Sequence, residues 1–213
     1  MNNKKITIGI INLKINNLFS IYKACINAGY KTEIVNDLKN YYKKDIILLP
    51  GVGSFKSGVD FLKKSSIDKK IYDYLERPYS LLYGICLGMQ LLFEKSEEFT
   101  NKKGLSLLKG NVHRVNKNIK NIKIPHIGWS NLISLKKNFF LGKFYKKSFY
   151  FTHSYYCDPK NKDEIMAMSK YNSFNFCSAV YKNKIFGTQF HPEKSGIAGV
   201  EFLKSLKNLK NYF

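Results

Sequence analysis

The chain has 213 residues, 44% of them hydrophobic, which suits one domain with a sizeable core over 1–213. Its formal charge of +21 raises nucleic-acid binding, but only Arg77 and Arg114 of the 36 basic residues are arginines and the lysines are scattered along the whole length, so base readout by bidentate arginine is not expected. The apolar run Ile6–Ile11 is too short to cross a membrane and no small-residue cleavage site follows it, so the expected location is cytoplasmic, with no membrane association and reduced cysteines.

In chain order, Ile6–Asn12 is rich in β-formers, and Leu18–Ala28 carries apolar residues at helical spacing up to Gly29, a helix-stopping position. Thr32–Val35 reads as a short strand. Asp45–Leu49 is a continuous apolar run halted by Pro50-Gly51-Val52-Gly53, as expected of a parallel strand buried on both faces. Ile67–Leu75 reads as a helix, Leu81–Ile85 as a second buried strand, and Met89–Phe93 as a helix. This alternation predicts an α/β fold: a central, mostly parallel sheet flanked by helices. The second half changes character. Val112–Val115, Ile122–His126, Phe149–His153, Ile165–Ser169, Phe176–Tyr181 and Ile185–Phe190 read as short strands, and the turn at Tyr181–Lys184 predicts an added antiparallel region. Val200, Leu203, Leu206 and Leu209 mark an amphipathic closing helix over Ile197–Leu209.

The most informative stretch is Tyr83-Gly84-Ile85-Cys86-Leu87-Gly88-Met89-Gln90. It places a cysteine at the bend between a buried strand and a helix, with glycines two residues either side that permit a tight turn and close backbone approach. G-x-C-x-G is the thiol counterpart of the G-x-S-x-G nucleophile elbow, and a helix N-terminus favours thiolate. A buried structural thiol is an equal reading of this stretch alone. None of the four cysteines forms a C-x-x-C pair, so a zinc knuckle or thioredoxin-like site is not expected, and no cofactor is read from the sequence.

A cysteine nucleophile needs a base. In Gln189-Phe190-His191-Pro192-Glu193-Lys194-Ser195, the residue before proline is pushed toward extended backbone, and in an extended segment His191 and Glu193 share a face. A carboxylate so placed orients an imidazole and stabilises its charged form. Backbone N–H groups of Val52, Gly53 and Leu87 are candidate oxyanion donors.

Together Pro50–Gly53, Tyr83–Glu94 and Gly187–Ser195 make the chain resemble a class I (triad) glutamine amidotransferase over almost its full length. Ile124–Trp129 and Tyr150–Tyr156 resemble, more narrowly, the glutaminase subunit of imidazole glycerol phosphate synthase. The resemblance implies Cys86 as nucleophile on the carboxamide carbon of L-glutamine, His191 as general base and acid, and Glu193 as its orienting group. It implies glutamine contacts from Gly51, Gly88, Gln90, His153, Ser154 and Tyr155. It further implies a heterodimer with a (β/α)₈-barrel synthase subunit that receives the ammonia and makes imidazole glycerol phosphate and AICAR, with Asn12, Trp129, Tyr150 and Lys194 at the interface and gate.

The sequence departs from the family at Asn12, Leu13 and Asn16, where Asp, Tyr and Gly are usual, and at Ser130, where Asn usually follows the Trp. Asn12 and Ser130 fall in regions that the resembled family uses near its partner. They leave open a paralogue that supplies ammonia for amination of a sugar. Two further readings stay on the table: a basic binding module with a relic site, opposed by the intact Cys86, His191 and Glu193, and a cysteine peptidase, opposed by Gln90 and the His153–Tyr156 stretch.

Overall fold

The computed structural model describes residues 5–14, 18–36, 38–98, 102–119, 122–136 and 140–212. The first half comprises β1 (Thr7–Ile11), α1 (Leu18–Asn27), β2 (Lys31–Val35), β3 (Ile46–Leu49), α2 (Phe55–Lys64), α3 (Ile67–Leu75), β4 (Leu81–Ile85) and α4 (Leu87–Leu91). The second half comprises β5 (Lys95–Ser96), β6 (Gly110–Arg114), β7 (His126–Leu135), β8 (Ser148–His153), β9 (Tyr155–Pro159), β10 (Ile165–Tyr171), β11 (Phe174–Lys182) and β12 (Ile185–Thr188), closed by α5 (Gly196–Ser205).

One nine-stranded sheet runs in the order β2-β1-β3-β4-β12-β11-β10-β7-β8. The first five strands are parallel neighbours, and the remaining pairings are antiparallel. The antiparallel region expected from the second half therefore extends the parallel sheet. A second, three-stranded sheet, β5-β6-β9, is not hydrogen-bonded into it but packs against β11 through β9, with Val112 and Cys157 in the same core as Cys177 and Val180.

Alternation along the continuous apolar strands supplies two cores. Ile46, Leu48, Leu81 and Tyr83 pack with Leu18, Ile21 and Cys25 of α1 and Phe202 and Leu203 of α5. Ile47, Leu49 and Leu82 pack on the opposite face with Phe55, Val59 and Leu62 of α2 and Ile71 and Tyr74 of α3. Every side chain of β3 and β4 is buried, so both strands are covered on both faces, as their sequence predicts.

Several features differ from the sequence expectations, among them the unanticipated strands β5 and β9. Helix α2 was not anticipated, because lysines and Gly58 dilute its apolar pattern. It starts at Ser54, whose hydroxyl accepts from Ser57 N at 3.2 Å and satisfies an end N–H group. The strand expected over Ile122–His126 begins only at His126: Pro125, without an N–H, cannot join a ladder. The closing helix is α-helical only to Ser205 and tightens into a 3₁₀ turn over Leu206–Tyr212. Of the departing loop, Ile15, Asn16 and Asn17 lie outside the described residues. Asn12 is described, and its side chain accepts from Lys14 N at 2.9 Å and donates to Asn36 Oδ1 at 3.1 Å.

Strand β8 returns over the carboxyl ends of β4 and β12. Tyr150 O accepts from His191 N at 2.9 Å, and Thr152 O accepts from the Cys86 thiol at 3.7 Å. This crossing builds the site.

Candidate active site

Cys86 follows β4 and caps α4 with φ 52° and ψ −107°, a conformation that L-residues rarely adopt. The elbow is held by Cys86 N donating to Thr188 O at 2.7 Å and by Gln90 N donating to Cys86 O at 3.1 Å. Both motif glycines are demanded by close approach. A Cβ on Gly84 would lie 2.6 Å from the Gly88 carbonyl, and one on Gly88 would lie 1.8 Å from Leu49 O. The G-x-C-x-G spacing thus lets α4 descend onto β3 and β4 and leaves the Cys86 sulfur facing a cavity.

His191 is extended, at φ −100° and ψ 97°, but the three residues after it form a 3₁₀ turn, Pro192–Lys194. The His191–Glu193 pairing expected from an extended run is therefore made across a turn, with His191 Nδ1 2.8 Å from Glu193 Oε1. Ser195 pins this turn to β8: its hydroxyl donates to His191 O at 2.6 Å and accepts from Tyr150 N at 3.0 Å. With Nδ1–H given to the carboxylate, Nε2 is the nitrogen left to exchange a proton with sulfur. Burial alone would lower the His191 pKa, but the charges of Cys86 and Glu193 outweigh it and hold the imidazole up to about 10.

A cavity of about 480 Å³ opens in front of the sulfur, lined by Val52, Gly53, Cys86, Leu87, Gln90, Glu98, Pro125, Thr152, His153, Ser154, Tyr155 and Lys194. That volume suits a small molecule. Among the residues singled out in the sequence, Val52, Gly53, Leu87, Gln90, His153, Ser154, Tyr155 and Lys194 converge there. Gly51 and Gly88 stand behind the lining: a Cβ on Gly51 would meet Leu87 Cβ at 2.7 Å. Leu87 N–H is not open toward the cavity, since it donates to Gly51 O at 3.4 Å.

The His153 side chain points into a buried polar chain. Its Nδ1 donates to Tyr155 O at 2.9 Å, which leaves Nε2 to accept from His126 Nδ1 at 3.2 Å. His126 Nε2 in turn accepts from Ser130 Oγ at 3.2 Å. One direction of donation satisfies every link only if both imidazoles are neutral. Burial pushes His153 down to about 3, with help from the charges of His126 and His191, and pushes His126 down to about 4.

Lys194, which lines the cavity, places its Nζ 5.8 Å from the Tyr150 ring centre, and Tyr150 meets the 55% exposed Trp129 edge-on at 5.9 Å. Ile127, on the same strand as Trp129 and on the same side of it, is also exposed. Asn12 makes its contacts elsewhere, beside a separate depression with Val35, Phe61 and Ile67.

Sequence reasoning missed three groups. Glu98 is the one carboxylate lining the cavity, and its Oε2 accepts from Phe55 N at 2.6 Å; no motif marks it. Thr152 contributes a carbonyl, which no side-chain pattern encodes. Gln189 stood inside the His191 motif, two residues before the base, where its spacing could have placed it beside the nucleophile.

Residues 10–205 match the family described as glutamine amidotransferase class-I. The chain belongs to that family. It is 40% identical over 199 residues to the imidazole glycerol phosphate synthase subunit HisH of Caldanaerobacter subterraneus, covering 93% of this chain and 96% of that protein. It is 42% identical over 204 residues to the protein of the same name from Pyrococcus furiosus, covering 95% and 98%. A solved chain described as the structure of PurLQS from Thermotoga maritima shares the fold, with a TM-score of 0.71 at 20% identity over 98% of this chain and 99% of that one. As expected of a class I glutamine amidotransferase, the chain has an α/β fold built on a large mixed sheet flanked by helices, and among the described residues no helix is long and apolar enough to cross a membrane. No group of three His, Cys, Asp or Glu among the described residues is arranged to hold a metal ion.

Proposed function

We propose that this chain, acting as one domain over 1–213, is the glutamine-hydrolysing subunit of an imidazole glycerol phosphate synthase in the cytoplasm. The observation that carries the chemistry is Cys86 at an elbow, facing a cavity, with His191 and Glu193 paired behind it at 2.8 Å. Cys86 gives its proton to His191 Nε2 and attacks the carboxamide carbon of glutamine. The tetrahedral intermediate collapses as His191 returns the proton to the departing ammonia, leaving a glutamyl thioester. Water, deprotonated by His191, then attacks the thioester carbon, and the C–S bond breaks with its electron pair on sulfur. Glu193 keeps the imidazole in the tautomer that does this.

The substrate's charged ends find partners in the same cavity. Glu98 is placed to hold the α-ammonium group, and backbone of His153, Ser154 and Tyr155 faces the α-carboxylate end. Gln90 spends both Nε2 hydrogens, on Tyr155 O at 3.0 Å and Gln189 Oε1 at 3.3 Å, so it offers its carbonyl oxygen to the substrate.

Val52, Gly53 and Leu87 N–H groups form the oxyanion hole after a rearrangement. Leu87 N–H is spent on the Gly51 carbonyl, so the Gly51–Gly53 backbone must turn before Leu87 can serve the oxyanion. The exposed Ile127 and Trp129, with the half-buried Tyr150 and the exposed Lys194 beside them, suit coverage by a partner subunit. That partner is a (β/α)₈-barrel cyclase receiving the ammonia. The relatives' shared name favours imidazole glycerol phosphate over a sugar as the acceptor's product.

Glutamine hydrolysis by the isolated chain is expected to be slow and to rise roughly 10²–10³-fold, the worth of one oxyanion donor, when the barrel partner and its ligand are added. Ammonia release measured with and without the partner checks this. Full activity of the chain alone would contradict it.

A further inference from the structure

Gln189 directly follows β12, is wholly buried, and has its backbone fixed by Gln189 N donating to Ser178 O at 2.9 Å. Its side chain is placed against the reactive sulfur: Gln189 Nε2 lies 3.5 Å from Cys86 Sγ. We infer that Gln189 is a further catalytic residue, a neutral hydrogen-bond donor that stabilises the Cys86 thiolate. This rests on the reading of Cys86 as the nucleophile.

The orientation of the amide is set by its neighbours. A backbone carbonyl can only accept, so Tyr155 O fixes which end of Gln90 is its NH₂ group, at 3.0 Å. That same nitrogen reaches Gln189 at 3.3 Å and therefore meets Oε1. Gln189 Nε2 is then the end that faces sulfur. Tyr155 O is itself held by His153 Nδ1 at 2.9 Å. The donor is clamped before any charge forms on the sulfur.

The sulfur needs it. Besides His191, with which it exchanges its proton, its polar neighbour is the Thr152 carbonyl, which accepts from the thiol at 3.7 Å. That contact favours the protonated form. Once the proton moves to His191 Nε2, the carbonyl dipole opposes the new negative charge, and the Gln189 N–H offsets it. Hydrogen bonds to ionised acceptors are about twice as strong as neutral ones, so the contact favours thiolate over both thiol and thioester. It helps twice: when the nucleophile forms, and when sulfur leaves with the electron pair of the broken C–S bond.

The test is alkylation of the full-length chain by iodoacetamide across pH, with Cys86 followed by peptide mass. Gln189→Met keeps length and apolar packing but removes the donor. Gln189→Asn keeps an amide and draws it back by one methylene. In variants that remain folded by circular dichroism, the midpoint of the pH–rate profile should rise by about one pH unit, and alkylation at pH 7 should slow about tenfold, with the smaller change in Gln189→Asn. An unmoved midpoint in either folded variant would overturn the assignment. If Cys86 of the unaltered chain reacts no faster than the buried Cys25, Cys157 and Cys177, the reading of Cys86 fails first and this inference falls with it.

Discussion

Cys86→Ala is expected to lower glutamine hydrolysis by about 10⁴-fold or more while leaving the fold in place. The sulfur is the group at the elbow that forms the covalent intermediate, and Cys86 supplies the one thiol among the residues lining the cavity. The remaining catalytic help, from oxyanion donors and substrate binding, does not replace a missing covalent step. Stability should change little by comparison. The side chain is 6% exposed, and losing one sulfur atom beside an open cavity costs about 1 kcal/mol. The strained φ of 52° is shared by Cys and Ala alike. In complex with the barrel partner, the variant should retain turnover supplied with ammonia, since that step lies outside this chain. Parallel assays with glutamine and with ammonium salt check the division of labour, and equal loss of both activities would refute it.

Acidification from pH 6.5 to 5 is expected to cost about 2 kcal/mol of folding stability through His153 alone. Burial, with the charges of His126 and His191 adding to it, holds His153 at about 3 in the folded chain, against 6.5 as its ordinary value. Between those limits the unfolded chain binds a proton that the folded chain refuses, so stability is present above pH 6.5 and is lost as pH falls. His126, held at about 4, pulls the same way. His191 does not mask the effect. Its folded value is raised, so its contribution is complete below pH 6.5 and is lost only as pH climbs through about 10. Denaturant unfolding at pH 7, 6 and 5 reads the slope, and His153→Gln, which cannot take up a proton, should flatten it. A slope identical in the variant would contradict the buried neutral chain from Ser130 to Tyr155.

The parallel half of the sheet was legible because β3 and β4 are buried on both faces, a state that leaves an unbroken apolar run in the sequence. Helix α2 was not, because its buried stripe of Phe55, Val59 and Leu62 is interleaved with lysines and Gly58. The strand start at His126 was misjudged because Ile122–Pro125 has β-forming residues but ends in a proline that cannot pair. In the site, Cys86, His191 and Glu193 were legible because each sits in a short local motif. Their meeting through a 3₁₀ turn pinned by Ser195 was not, since the Ser195 hydroxyl answers to a strand 45 residues away. Gln189 and Glu98 were missed for the same reason. Gln189 touches Cys86 across 103 residues of chain, and Glu98 is anchored to Phe55 across 43. Contacts that depend on how distant strands fold back are set by the sheet order, which no local pattern records.

Several of the chain's lysines have local partners, such as Lys56 and Lys102 with Asp60, Lys109 with Glu94, and Lys162 with Asp158. Exposed pairs of this kind contribute little to stability.

The reading of this chain as a glutaminase stands most directly on one measurement: covalent capture with a glutamine-shaped diazoketone, whose electrophilic carbon replaces the carboxamide. Nucleophilic catalysis at Cys86 requires one adduct per chain, mapped to the peptide that carries Cys86, formed in step with loss of glutaminase activity and blocked by glutamine. Loss of activity with the adduct on Cys25, Cys157 or Cys177, or full activity with no adduct on Cys86, would contradict it.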